Sequence, residues 1–233
     1  MSEPLGEALF DRYAGNYNAA LAAGLSSTGE DAAYFAKRRV EWMQHRLERL
    51  HFAPRRVMDF GCGTGGSTPY LLSLNDVESH IGVDISDASI DIAKRLYTDR
   101  RTTFAHVDRW HGAGSIDLAF CNGVFHHIPP ASRAACVDYV HRALRPGGLF
   151  ALWENNPWNP GVRLVMSRIP FDRDAITLPP PQTRTLMSSH GFDVLASEFL
   201  FIFPKALASL RFLEKPLCRL PIGGQYLTLG RKR

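Results

Sequence analysis

Along the middle of the chain, short apolar runs that end in glycine or an acid alternate with amphipathic stretches. Val57–Phe60 is an apolar run closed by glycines and predicts a buried strand, with a short helix following over Thr68–Leu74. Ser79–Ile85 predicts a second strand ending in Asp84, and Ser86 or Asp87 is placed to cap a helix whose Ile90, Ala93 and Leu96–Tyr97 fall at helical spacing. Thr103–Val107 predicts a third strand ending at Asp108, and Ile116–Cys121 a fourth. An amphipathic helix over Ser132–Leu144 is stopped by Arg145-Pro146-Gly147-Gly148, and Leu149–Trp153 predicts a fifth strand. Strands separated by helices build βαβ units and a parallel sheet.

The two ends of this alternation read differently. Residues 1–50 are predicted helical: Tyr34–Leu50 contains no proline or glycine and places Val40, Met43, Leu47 and Leu50 on one face. Residues 155–181 carry six prolines and no clear period, and are expected to be loop-like. A helix ending near His190-Gly191 leads to a strand over Phe192–Pro204, and Gln225–Leu229 closes the series. The stretch between these two strands is expected to be helical and broken by Pro216.

Composition narrows the class. Hydrophobic residues are 45% and charged residues 21% of 233, the balance of one globular domain carrying an insertion. The net charge of +4 is scattered and marks no nucleic-acid surface. Cys62, Cys121, Cys136 and Cys218 have no paired spacing, so neither a disulfide framework nor a zinc site is expected. The first residues lack the basic start and apolar run of a signal peptide, and no run approaches the ~18–20 residues of a membrane span. A cytoplasmic protein, monomer or homodimer, is the expectation.

The most informative segment is Val57-Met58-Asp59-Phe60-Gly61-Cys62-Gly63-Thr64-Gly65-Gly66. A strand runs into a GxGxG turn and then a helix, so a ligand can approach bare backbone at a helix N-terminus. Asp84 and Asp108 close the next two strands at the carboxyl edge of the sheet, where open α/β folds bind ligands. The first is placed to accept both hydroxyls of a ribose, the second an adenine amino group. A dinucleotide fold wants GxGxxG, and a carboxylate at Asp59 would repel a pyrophosphate while attracting an α-amino group. That chemistry suits S-adenosylmethionine better than NAD.

In motif order and spacing, VMDFGCGTGGST, GVDIS, HVD, DLAFCNGVFHHIP and LRPGGLFALWENNP resemble the class I S-adenosylmethionine-dependent methyltransferases of small molecules, over roughly residues 55–157. The resemblance implies a Rossmann-like, doubly wound, three-layer α/β fold, with a seven-stranded, mostly parallel sheet and an antiparallel last strand. It also implies that Asp59, Gly61, Gly63 and Gly65 line the methionine part, with Asn122 against it. Asp84 would hold the ribose, Ile85 flank the adenine and Asp108 hold its amino group. The segment Phe10–Asn18 resembles a helix that closes over the cofactor, with Tyr13 or Tyr17 near the carboxylate or the sulfonium. Residues 1–50 would then form a lid on a core of residues 51–233, with 155–181 as a second lid over the acceptor.

Methyl transfer from a sulfonium asks the protein to position the acceptor, exclude water and supply a base where the acceptor must lose a proton. His126 and His127 follow the fourth strand and are the candidate bases. Trp153 and Glu154 end the fifth strand and point toward the same place. Related quinone O-methyltransferases carry an acidic pair with a histidine at this turn; here the positions are Gly123 and His126, so no metal is expected. Arg163, Arg168 and Arg173 of the insert are candidates to read an anionic acceptor. Lys205–Leu220 sets Arg211, Lys215 and Arg219 opposite leucines, a candidate surface for a membrane or a lipid-linked acceptor. The leading expectation is methyl transfer to an O or N atom of a small molecule, with no nucleic-acid partner expected. The alternatives are an RNA or protein methyltransferase and a non-catalytic S-adenosylmethionine-binding protein.

Overall fold

A computed structural model describes Asp11, Gly15 and residues 17–233; Tyr13 and the side chain of Tyr17, both candidates for a cofactor contact, lie outside the described residues. Seven strands form one sheet: β1 (Arg56–Phe60), β2 (Ser79–Asp84), β3 (Thr102–His106), β4 (Ile116–Asn122), β5 (Leu144–Asn155), β6 (Phe192–Leu200) and β7 (Gln225–Lys232). Their order is β3-β2-β1-β4-β5-β7-β6. The first five pair in parallel, and β7 runs antiparallel between β5 and β6. The chain leaves β1 toward β2 on one side and returns to β4 on the other. That reversal opens a crevice at the carboxyl ends of β1 and β4.

Successive side chains of the central strands point to opposite faces. Val57, Leu118, Phe120, Leu149, Ala151 and Trp153 pack against Val40, Met43 and Leu47 of helix α2 (Ala32–Arg49), which follows α1 (Tyr17–Leu25). Met58, Phe60, Ala119, Cys121, Phe150 and Leu152 pack on the other face against Val137 and Val140 of helix α5 (Arg133–Ala143). Between them in the chain come α3 (Thr68–Leu71) and α4 (Asp87–Leu96). Caps set where the helices start: the Asp31 side chain accepts from Tyr34 N at 2.7 Å, and Ser86 from Ser89 N at 3.0 Å. The middle of α2 is tied to β6 by Trp42 Nε1, which donates to Glu198 at 2.8 Å. No helix among the described residues is long and apolar enough to cross a membrane.

The structure departs from the sequence expectation in three places. Residues 155–181 contain helix α6 (Pro160–Arg168). Pro160 occupies its first position, where a missing N–H costs nothing, and Asn159 caps it by accepting from Val162 N at 3.2 Å, so the prolines bracket the helix. The stretch after β6, which itself follows helix α7 (Pro180–Ser189), is a 3-10 segment, Lys205–Leu213, kinked at Leu207, with a single turn, Glu214–Leu217. Its expected division into basic and apolar faces is not formed: Arg211 turns inward while Leu210, Phe212 and Leu220 are exposed. Third, β5 begins at Leu144, before the Pro-Gly-Gly that was expected to precede it.

The reason for the longer β5 is Asp117, at a shift of register in β4. Its carboxylate accepts from Arg55 N at 2.9 Å and Arg56 N at 2.8 Å, and from Arg145 Nε at 2.5 Å, joining the starts of β1, β4 and β5 at the edge opposite the crevice. Burial would raise this carboxyl, but the Arg145 guanidinium and the two backbone donors hold it below its ordinary value. Stability from a depressed carboxylate is present above its unfolded pKa and is lost as pH falls through the folded one. We therefore expect Asp117→Ala to lower unfolding free energy by about 1–3 kcal/mol in denaturant titrations at pH 7. The gap from the native protein should close as the pH falls below the ordinary carboxylate range.

Candidate functional site

The glycine turn after β1 is built around positive φ. Gly61, Gly63 and Gly65 have φ of +74°, +51° and +84°. A Cβ on Gly61 would collide with Val124, and one on Gly65 with Tyr97, so these two let the turn pack against the segment leaving β4 and the end of α4. A Cβ on Gly63 would meet nothing within 4 Å, so this glycine borders open space. The turn is braced from behind by Asp84, whose Oδ2 accepts from Gly63 N at 2.7 Å and whose Oδ1 accepts from Ser86 N at 2.9 Å. Burial raises the Asp84 pKa, and those backbone donors oppose the rise.

Gly61 and Gly63 edge a cavity of about 760 Å3 that also takes in Asp59, Asn122, His126 and His127. Asp59 is buried at the end of β1; desolvation first, and the Asp84 charge second, raise its pKa to about 7 against the pull of Arg39. Asn122 Oδ1 is buried without a hydrogen-bond partner. A carboxyl awaiting a cation, an orphaned acceptor and a turn free of side chains fit the aminoacyl end of S-adenosylmethionine. Gly65 shapes the turn from outside the cavity. Ile85 and Asp108 are exposed and lie outside its lining; Asp108 donates its backbone N–H to His106 Nδ1 at 3.2 Å, and its carboxylate lies 3.8 Å from the same nitrogen.

Beyond Asn122 the chain turns through residues 123–127, and Glu154 at the end of β5 holds that turn. Its Oε1 accepts from Val124 N at 3.1 Å and Phe125 N at 2.8 Å, while Oε2 accepts from His126 Nδ1 at 2.6 Å. Trp153, the neighbour of Glu154, faces the core instead. On the cavity side His126 Nε2 lies 3.5 Å from Asp172 Oδ1, and His127 Nε2 lies 3.2 Å from the same oxygen. Burial alone would lower the His126 pKa, but the Glu154 and Asp172 carboxylates outweigh it and push it to about 10. His126 is thus an imidazolium at neutral pH, with each ring nitrogen facing a carboxylate, which is a different state from the neutral base expected of it. Burial lowers His127, with Asp172 opposing.

Asp172 comes from the proline-rich insert, and nothing in the local sequence marked it as buried. Arg39 of α2 was also missed: it lines the cavity and donates from Nε to Gln225 at 2.9 Å. An apolar stretch of the wall comes from Leu21 and Leu25 of α1, Val162, Val165 and Met166 of α6, Ile169, Phe171 and Phe201. Arg163, Arg168 and Arg173 of the insert are exposed and outside that lining. Arg211 does line it, paired to Glu30 at 2.8 Å and set 4.6 Å from the Tyr34 ring centroid.

Known proteins agree with this architecture. A family model described as a methyltransferase domain matches residues 57–148. A trans-aconitate 2-methyltransferase of Acidovorax sp. (strain JS42) is 32% identical over 179 residues, 70% of this chain and 68% of that protein. With most of its other curated relatives, the chain's match spans about half of the relative's length. The fold is shared with an S-adenosylmethionine dependent methyltransferase from Mesorhizobium loti, with a TM-score of 0.56 at 22% identity, covering 76% of this chain and 90% of that one. It is also shared with trans-methyltransferase CalH in complex with S-adenosylhomocysteine, with a TM-score of 0.62 at 18% identity, covering 86% and 59%. A seven-stranded sheet of this order, its glycine turn and a relative of this identity and coverage make the chain a member of the class I S-adenosylmethionine-dependent methyltransferases.

Proposed function

We propose that the protein transfers a methyl group from S-adenosylmethionine to an O or N atom of a small acceptor with a largely apolar body. The observation that carries this reading is the continuity of one cavity from the glycine turn to the apolar wall of α1, α6 and Phe201. Its volume of about 760 Å3 is in the range of roughly 300–1,000 Å3 usual for small-ligand pockets. When bound, S-adenosylmethionine supplies a methyl group already activated on a positive sulfur. The protein therefore has to hold, orient and dry the acceptor.

Asp59 meets the α-ammonium group, and Asn122 Oδ1 takes a donor from the same end of the cofactor. Asp84 holds the glycine turn from outside the cavity lining, and the lone pairs its carboxylate has left are the ones for the ribose hydroxyls. The helices of residues 17–50 and the insert of residues 155–181 act as the two lids, with Val162, Val165 and Ile169 against the acceptor's body. His126, Asp172 and His127 form the polar wall that meets the acceptor's heteroatom. Because His126 is held charged, Asp172 and His127 are the groups left to receive or orient the acceptor's proton.

A carboxylate-bearing acceptor is the second reading, favoured by the trans-aconitate 2-methyltransferases among the relatives and by Arg39 and Arg211 on the wall. Both guanidinium groups already have partners, Gln225 and Glu30. A panel of radiolabelled transfer assays separates the two readings. The first expects turnover with apolar phenols, alcohols or amines and none with trans-aconitate; turnover with trans-aconitate alone would reverse the order.

Two further outcomes follow from the assignments. A cationic ligand group binds the ionised form of Asp59, so calorimetric affinity for S-adenosylhomocysteine should rise about tenfold from pH 6 to pH 8. In Asp59→Asn the affinity should be weaker at pH 8 and nearly flat across that interval. Val165→Glu should raise KM for the acceptor that supports turnover by about tenfold, roughly 1.4 kcal/mol, and leave S-adenosylhomocysteine binding unchanged.

A further inference from the structure

We propose that His126, His127 and Asp172 form a binding site for a divalent transition-metal ion on the acceptor side of the cavity. Each contributes one donor atom, and the three atoms lie within 4.8 Å of one another. Both imidazole Nε2 atoms converge on a single carboxylate oxygen, at 3.5 Å and 3.2 Å. Bonds of about 2.0–2.1 Å at tetrahedral angles set neighbouring donor atoms about 3.3–3.4 Å apart, so these separations are the edges of such a site. Two imidazoles and one carboxylate suit zinc, iron, cobalt or nickel rather than magnesium or calcium.

The surroundings are those of a ligand set held in advance. Glu154 takes the Nδ1–H of His126 at 2.6 Å, which orients the ring so that Nε2 faces Asp172. The His126 carbonyl accepts from Ile176 N at 2.9 Å, which ties the insert that carries Asp172 to the turn that carries the histidines. In the metal-free protein a proton occupies His126 Nε2, and the cation would replace it. The sequence expectation of no metal rests on the lack of acids in this turn itself; Glu154, read from sequence as pointing to the same place, comes from β5, and Asp172 comes from the insert.

All three donors line the cavity, so the ion's remaining positions are open to a ligand within it. An acceptor bearing a hydroxyl or enol oxygen would bind there, its proton made more acidic by the cation. That last role rests on the methyl transfer proposed above; binding of the ion does not.

The test is a titration of chelator-treated full-length protein with Co2+, followed by its visible ligand-field bands, with Zn2+ as competitor. A saturable one-to-one spectrum that Zn2+ abolishes, weakened about tenfold or more in each of D172N and H127A, is the expected result. No saturable spectrum, or one that both variants retain, overturns the proposal. Melting temperature and S-adenosylhomocysteine calorimetry on the same samples confirm that the variants are folded, since neither residue is assigned to the cofactor. Cobalt binding without S-adenosylhomocysteine binding would sink the cofactor reading and leave the metal site standing; the converse result would sink the metal site alone.

Discussion

The buried carboxylate of Glu154 constrains the histidine-bearing end of the cavity. A charge removed from water must be matched by donors, and this one receives two backbone N–H groups and an imidazole N–H. All three donors belong to residues 124–126, so the segment leaving β4 has little freedom to move away from the end of β5. The position of His126 then follows, and with it the place where Asp172 can find a cationic partner. The insert is drawn over the cavity because its buried acid is held there. Arg133 reinforces the same turn from α5, donating from Nε to the carbonyls of Phe125 at 3.0 Å and Ile128 at 2.9 Å.

At the cofactor end the governing term is also a carboxylate, used in the opposite sense. Glu154 has its donors within the protein. Asp59 is buried beside Asp84 with its pKa raised, so its ionised form is favoured by a ligand that brings positive charge. One end of the cavity is thus internally satisfied and rigid, and the other is completed by what it binds. The glycine turn and the orphaned Asn122 carbonyl oxygen line the same cavity as Asp59.

The fold was largely legible in the sequence because its signals are local. Apolar runs such as Val57–Phe60, with acids or glycines at their ends, report strand position directly, and the GxGxG turn reports where a ligand approaches. Asp59, Gly61, Gly63, Asn122 and both histidines do meet at one cavity. What could not be read depends on contacts between distant segments. Asp172 looks like any acid in a polar loop until Ile176 bonds to the His126 carbonyl and brings it inside. The state of His126 follows from two carboxylates that lie 28 and 46 positions away in the chain. Helix α6 was hidden because prolines bracket it, Pro160 at its first position and Pro170 just past its end, and the pattern between them is short. Arg163, Arg168 and Arg173 suggested an anionic acceptor, whereas the side of α6 that meets the cavity is apolar.

The dependence of the turn on Glu154 is open to direct measurement by chemical denaturation of Glu154→Leu, which keeps side-chain bulk and deletes the acceptor oxygens. Two backbone donors and an imidazolium would then be left buried without their partner. The account predicts a loss of about 3–5 kcal/mol of unfolding free energy, the cost typical of breaking a buried charge pair. A loss below about 1 kcal/mol, in the range of an exposed pair, would contradict it.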